Sequence, residues 1–245
     1  MRGLVISLGA ALLTIPSVAA AQELAATPSS PLITGIGLAL LGLLPFLLVV
    51  TTSFAKFAVV LSILRSALGT QNVPPNVVMA SLAVILTSFV MAPVFTAMSE
   101  EAAPLLELSA EEVRDVDAWP GRVESTLSPL RQFLAVNSGE SEIALFTELR
   151  DAQPVERVED LPLTVALPAF AITELSEAFQ IGFLLFLPFL VLDLVVGSVL
   201  LSLGMHMLSP TTVSMPFKLL LFVLINGWVV LSESLVLGYT LPPGL

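Results

Sequence analysis

Cysteine is absent from the 245 residues. Disulfides, thiolate zinc sites and cysteine nucleophiles are thereby excluded. There is one histidine, His206. A metal centre needs three or four ligands, so a histidine-based one is excluded too, and no cofactor is expected. Charge is also scarce, at 12% of residues against 56% hydrophobic. A soluble domain carries about 25% charged residues, so lipid or other copies must cover part of this chain. No basic patch exists to neutralise phosphates, which argues against nucleic acid. No G-x-x-x-x-G-K-[ST] or G-x-S-x-G motif occurs, so a phosphate cradle and a nucleophile elbow are missing. These absences together argue against an enzyme.

The charge that is present is unevenly placed. Of the net charge of -11, a balance of -10 falls between Ser99 and Asp160, which hold 15 acidic and 5 basic residues. Uncharged runs separate Glu23 from Lys56, Arg65 from Glu100, and Lys218 from Glu233. The first two are each long enough for a hydrocarbon core, which takes about 20 apolar residues; the third, of 14 residues, reaches that length only with the apolar residues before Lys218. In lipid such runs must be helical, because no water is there to satisfy the backbone.

The expected fold is an all-α membrane protein of two long helical hairpins, four hydrophobic segments in all. The first segment runs from about Leu32 past Lys56 towards Leu68. A turn at Gly69–Asn76, with Pro74-Pro75, precedes the second, Val77 to about Met98. The third runs from Leu163 to Leu203 across Pro168 and Pro188. A turn from Gly204 to Pro210 leads to the fourth, Val213 to Leu237. As one helix the third segment would be about 60 Å long, against a core of about 30 Å. It must either break at proline or project beyond the lipid.

The predicted organisation is a signal peptide over 1–21, a first hairpin over 22–98, an acidic helical region over 99–162 and a second hairpin over 163–245. Arg2, the apolar Leu4–Ile15 and Ala19-Ala20-Ala21 form the signal-peptide pattern, with cleavage between Ala21 and Gln22; the alternative is an uncleaved first helix. Ser109 with Glu112 reads as a capping box, and Leu108 with Val113 as its staple. Ser128-Pro129 reads as a helix start. Ile143, Phe146 and Leu149 share a helix face. Lys56, Arg65 and Lys218 flank the two turns, which places both turns in the cytoplasm and the acidic region in the periplasm.

Charges inside apolar segments are the candidate functional residues: Lys56, Arg65, Glu174, Glu177, Asp193, Lys218 and Glu233. One at a membrane centre costs roughly 2.5–3.5 kcal/mol on insertion scales, so each should face protein or a pathway. Glu174 and Glu177 share a helix side. Lys56 and Arg65, nine apart, point oppositely. Lys56, Glu174 and Asp193 are expected buried against protein; Arg65 and Lys218 are expected to snorkel to the interface. Met205-His206-Met207 occupies the second turn, where adaptable methionines suit either a plain interfacial turn or a soft constriction.

Three stretches carry a resemblance. The first is Thr52-Ser53-Phe54-Ala55-Lys56-Phe57 with Leu61-Ser62-Ile63-Leu64-Arg65-Ser66-Ala67-Leu68-Gly69 and Pro74-Pro75-Asn76. The second runs from Pro168-Ala169-Phe170 through Glu174-Leu175 and Ala178-Phe179-Gln180-Ile181-Gly182-Phe183 to Leu187-Pro188-Phe189 and Asp193-Leu194. The third is Leu203-Gly204-Met205, Ser209-Pro210, Pro216-Phe217-Lys218-Leu219 and Gly227-Trp228. Together they resemble the FliP/SctR (YscR/HrcR) family of type III secretion export-apparatus proteins.

The resemblance implies a pore subunit of the bacterial inner membrane rather than an enzyme. Its partners would be further copies in a pentamer-like homo-oligomer, FliQ/SctS-like and FliR/SctT-like sister subunits, larger export-gate proteins, membrane lipid and unfolded secreted substrates. It also implies that Met205, His206 and Met207 form the pore gasket, with His206 where a methionine is usual. An imidazole that titrates near pH 6.5 would make that seal pH-sensitive. Lys56, the first turn and Ser209-Pro210 resemble the injectisome branch, whereas the signal peptide and Gln180-Ile181-Gly182 resemble the flagellar one. The injectisome branch is favoured. A small-solute secondary transporter is the competing class, although four spans in one chain enclose a substrate poorly.

Overall fold

The computed structural model describes residues 38, 42–43, 45–70, 73–106, 116–150 and 161–242. Ala21, Gln22, the Ser109 capping box and its staple lie outside them. The chain divides into two compact units, residues 1–47 and 48–245. In the first, the described residues are helical and exposed. The second unit holds the helical bundle.

Every regular element among the described residues is a helix. The first apolar segment is not one rod. Pro45–Thr51 (α1) and Phe54–Ala67 (α2) meet at 81°. At the bend, Thr52 Oγ1 donates to the Leu48 carbonyl and accepts from the Phe54 N–H. Its hydroxyl thus serves backbone groups at the bend. Asn76–Leu106 (α3) continues eight residues past the expected end. Polarity begins at Ser99-Glu100-Glu101, but nothing there stops a helix.

The acidic region contains a 3₁₀ turn at Val116–Ala118, then Trp119–Val136 (α4) and Glu140–Leu149 (α5). Ser128-Pro129 does not start a helix: Pro129 lies inside α4, and Pro120 occupies the first turn instead. Leu163–Ser202 (α6) is 40 residues without a break, despite Pro168 and Pro188, and so spans about 60 Å. The fourth segment is broken like the first: Pro210–Leu224 (α7) and Gly227–Leu237 (α8) meet at 62°. Asn226 takes the left-handed conformation at that bend, with φ 51°, a conformation Asn tolerates better than most residues.

Both turns end their helices on a left-handed glycine. Gly69 has φ +75° and Gly204 φ +72°. After α6, Met205 N–H donates to the Leu200 carbonyl and Gly204 N–H to Leu201. This is the Schellman pairing, which closes carbonyls that the helix leaves open. The turns lie at one end of the bundle, since a Cβ on Gly69 would meet the Thr211 methyl at 3.3 Å.

The bundle is centred on α2, which packs along α6 and against α3. Close approach to α6 needs Gly182, where a Cβ would lie 2.3 Å from Ile63 Cδ1. The acidic region joins the same core: Phe133, Leu134 and Ala135 of α4 are buried with Phe57 of α2 and Phe170 of α6. Ile143 and Phe146 of α5 pack against that core too, while Leu149 stays exposed. Serine and threonine hydroxyls inside the apolar helices donate to the carbonyl four residues back, as at Thr87, Ser88, Thr96 and Ser198. That makes them tolerable without water.

Candidate functional site

Two charge clusters tie the helices together, one near each end of α2. They lie about 16 Å apart along that helix, from Lys56 to Ala67. At the first, Lys56 Nζ sits 2.7 Å from Glu174 Oε1 and 2.7 Å from Glu177 Oε2 on α6. The Lys56 and Glu174 side chains are 3% and 1% exposed, whereas Glu177 is 46% exposed. The three-residue spacing presents both carboxylates to one ammonium.

Tyr239, beyond the end of α8, completes this cluster. Its hydroxyl donates to Glu174 Oε2, and Lys56 Nζ lies 4.2 Å from its ring centroid, a cation–π distance. The ring packs edge-on to Phe57 and stacks on Phe133. Burial, and then the Glu174 carboxylate, push the phenol far above its usual range, so it remains a donor. Asn137 holds the tail in place: its amide donates to the Thr240 carbonyl at 2.9 Å and accepts the Thr240 N–H at 2.9 Å.

At the second cluster, Lys218 of α7 lies 2.7 Å from Asp193 of α6 and donates to the Ala67 carbonyl at 3.1 Å. Ser214 donates to the other Asp193 oxygen. Lys218 therefore does not snorkel; it is 1% exposed. A cation at the carbonyl end of α2 matches the sign of that helix terminus. These clusters are electrostatic struts. Each acid faces an ammonium.

The remaining candidates are not gathered in. Arg65 is half-buried beside a cavity of about 160 Å³ lined by Ala58, Ser62, Asn76, Met79 and Ala80. Glu233 is exposed on α8. Neither has an ion pair among the described residues. Met205, His206 and Met207 are all exposed in their turn, Met207 at 99%.

Sequence reasoning missed Tyr239, Asn137, Thr240, Ser214 and the Ala67 carbonyl. Tyr239 is the only tyrosine in the chain, a weak signal that a polar aromatic beside an apolar helix end has a buried partner. The bend at Asn226-Gly227 did carry a signal, since Asn-Gly marks turns.

The model of the FliP family matches residues 37–235. Yop proteins translocation protein R of Yersinia pestis is 46% identical over 208 residues, covering 83% of this chain and 94% of that protein. The flagellar biosynthetic protein FliP of Bacillus subtilis is 42% identical over 195 residues, covering 80% and 86%. Virulence protein YscR of Salmonella typhimurium is 42% identical over 219 residues, covering 87% and 99%. The match takes in both charge clusters except Tyr239, and both turns. This chain belongs to the FliP family.

Proposed function

We propose that this chain is a pore-forming core subunit of a type III secretion export gate, threading unfolded protein through the bacterial inner membrane. One observation carries the reading. α6 is about 60 Å long, twice a hydrocarbon core, and exposes Phe179, Phe183, Leu187, Leu190, Leu194 and Val199 along its length. Lipid can cover only part of such a surface, so neighbouring subunits cover the rest. Homologues named for Yop translocation and for flagellar biosynthesis point to the same apparatus in its two forms, and the injectisome form is the one favoured here.

In this reading the copies form a pentamer-like ring with FliQ/SctS-like and FliR/SctT-like subunits, beneath larger export-gate proteins. The turns face the cytoplasm, residues 99–162 lie on the periplasmic side, and residues 1–21 are removed before Gln22. Lys56–Glu174 and Asp193–Lys218 fix the protomer, while Met205, His206 and Met207 supply the seal. The function needs no cofactor and no reaction catalysed by this chain.

Purification in mild detergent with the neighbouring export genes tests the proposal. A large complex with a central channel, and secretion lost when this chain is deleted, are the expected results. A monomer or dimer that binds a small solute would establish the transporter reading instead.

A further inference from the structure

We propose that the cavity beside Arg65 holds the phosphate of an anionic phospholipid, at the end of the bundle where the two turns lie. The inference needs the chain to sit in lipid; it does not need the chain to form a pore.

The cavity is a seam between two helices. Ala58, Ser62 and Arg65 recur at intervals of four and three along α2, while Met79 and Ala80 follow Asn76 by three and four on α3. Each set therefore shares one helix face, and the two faces enclose about 160 Å³. The buried side of α2 is a different one, carried by Phe57, Val60, Leu61 and Leu64. The stripe with Arg65 thus lies beside the core and not within it. Ala58 and Ala80 are small, which leaves the room. A single water needs only about 10–15 Å³, so this space takes a group of several non-hydrogen atoms.

The lining selects an anion. Its polar side chains are the Arg65 guanidinium, the Ser62 hydroxyl and the Asn76 amide, and all three can donate hydrogen bonds. No acid is among the described residues that line it. Lys56 and Lys218 each reach a carboxylate of this chain, but Arg65 has no ion pair among the described residues. A guanidinium stays charged, and its fork fits two oxygens of one phosphate. In an apolar helix such a charge is costly until an anion joins it.

Depth and rim select a lipid over a free ion. Arg65 lies four residues, about 6 Å, before Gly69, and that glycine sits beside Thr211 at the turn end of the bundle. Val77 and Val84, three residues before Ala80 and four after it, share its face of α3 and are exposed. Acyl chains hung from a phosphate in the cavity can lie along them, whereas an inorganic ion has no use for that surface. Basic pockets between membrane helices take phospholipid head groups in this way at the cytoplasmic side, which is where the turns are placed above.

The full chain is purified in mild detergent with phosphatidylglycerol added to the micelles, and native mass spectrometry counts the lipids retained per chain. R65Q should lower retention about tenfold through the lost charge-assisted bonds, and R65K by less, since it keeps the charge without the fork. R150Q removes the same charge from an exposed position in the acidic region and should change nothing. A80L fills the cavity from an exposed position and leaves Arg65 in place. It should lower retention as well, and it decides the matter should R65Q fail to fold. Phosphatidylcholine should be retained more weakly, and excess inorganic phosphate should not displace the anionic lipid.

Equal retention by the natural chain and A80L, or by the natural chain and a folded R65Q, overturns the site. Displacement by inorganic phosphate assigns the cavity to a free anion and overturns the lipid reading. Normal lipid retention by R65Q, with copies of the chain falling apart, assigns Arg65 to a neighbouring carboxylate and overturns it too. A natural chain that stays monomeric yet holds the lipid through Arg65 upholds the site and overturns only the pore reading.

Discussion

Lys218 reaches the Ala67 carbonyl at 3.1 Å, 151 positions earlier in the chain. The contact joins α7 to the open end of α2, while the same ammonium is held by Asp193 of α6. One side chain thus fixes three helices. Lys218→Met removes the charge and keeps most of the apolar stem. It should destabilise by about 2–4 kcal/mol, because Asp193 is left unpaired at a largely buried site. Heating the detergent-solubilised protein and following its helical signal measures this. A variant as heat-stable as the natural chain would show that the strut is dispensable.

The Lys56 cluster should show a graded response. Lys56→Met strands Glu174, which is buried, and should cost roughly 3–5 kcal/mol. Glu177→Gln touches a half-exposed partner and should cost under about 1 kcal/mol. Lys56→Met with Glu174→Leu should recover most of the loss, since an apolar pair of similar volume often replaces a buried ion pair. Equal losses for Glu174→Gln and Glu177→Gln would contradict the burial difference between them.

Tyr239→Phe separates the hydroxyl from the ring. The ring keeps its contacts with Phe57 and Phe133, and only the bond to Glu174 is lost. A loss of about 1–3 kcal/mol is expected, since the acceptor is charged. Tyr239→Ala should cost clearly more, because it opens a cavity. If thermal unfolding ranks Phe and Ala equally, the stacking contributes nothing.

Two glycines should respond with opposite sign. A Cβ at Gly227 would lie 2.2 Å from the ring of Phe222, which is itself 3% exposed. Gly227→Ala should therefore destabilise by about 1–3 kcal/mol through overpacking. At Gly121 nothing lies within 4 Å of the new Cβ, and the site is helical. Gly121→Ala should stabilise by up to about 1 kcal/mol. Denaturation midpoints of the two variants decide the matter.

His206 puts a polar imidazole between two methionines in a turn read here as the seal of a pore. Apolar constrictions close by excluding water, so His206→Met should lower ion leak through the resting complex, measured in vesicles. Identical leak for both proteins would show that the histidine does not act on the seal.

The four apolar segments, their helical state and the placement of both turns were legible from local pattern alone. Uncharged runs of that length must be helices in lipid, and Gly69 and Gly204 mark their ends by a backbone geometry that glycine accepts most readily. The lone charges were legible as well, because each one interrupts an apolar run.

Less visible were the bends. Thr52-Ser53 breaks the first segment, yet Pro188 does not break α6. A proline costs one backbone bond, and in a helix sheltered by lipid and neighbours that loss is tolerated. Whether a chain turns therefore depends on what it packs against. Pairing was invisible for the same reason. Lys56 with Glu174, Lys218 with Ala67 and Asn137 with Thr240 are contacts between distant positions, and no window of neighbouring residues contains both members. Hydrophobic length is a local property and dictates insertion; the choice of partner for each buried charge arises only when α2, α6, α7 and the tail are packed side by side.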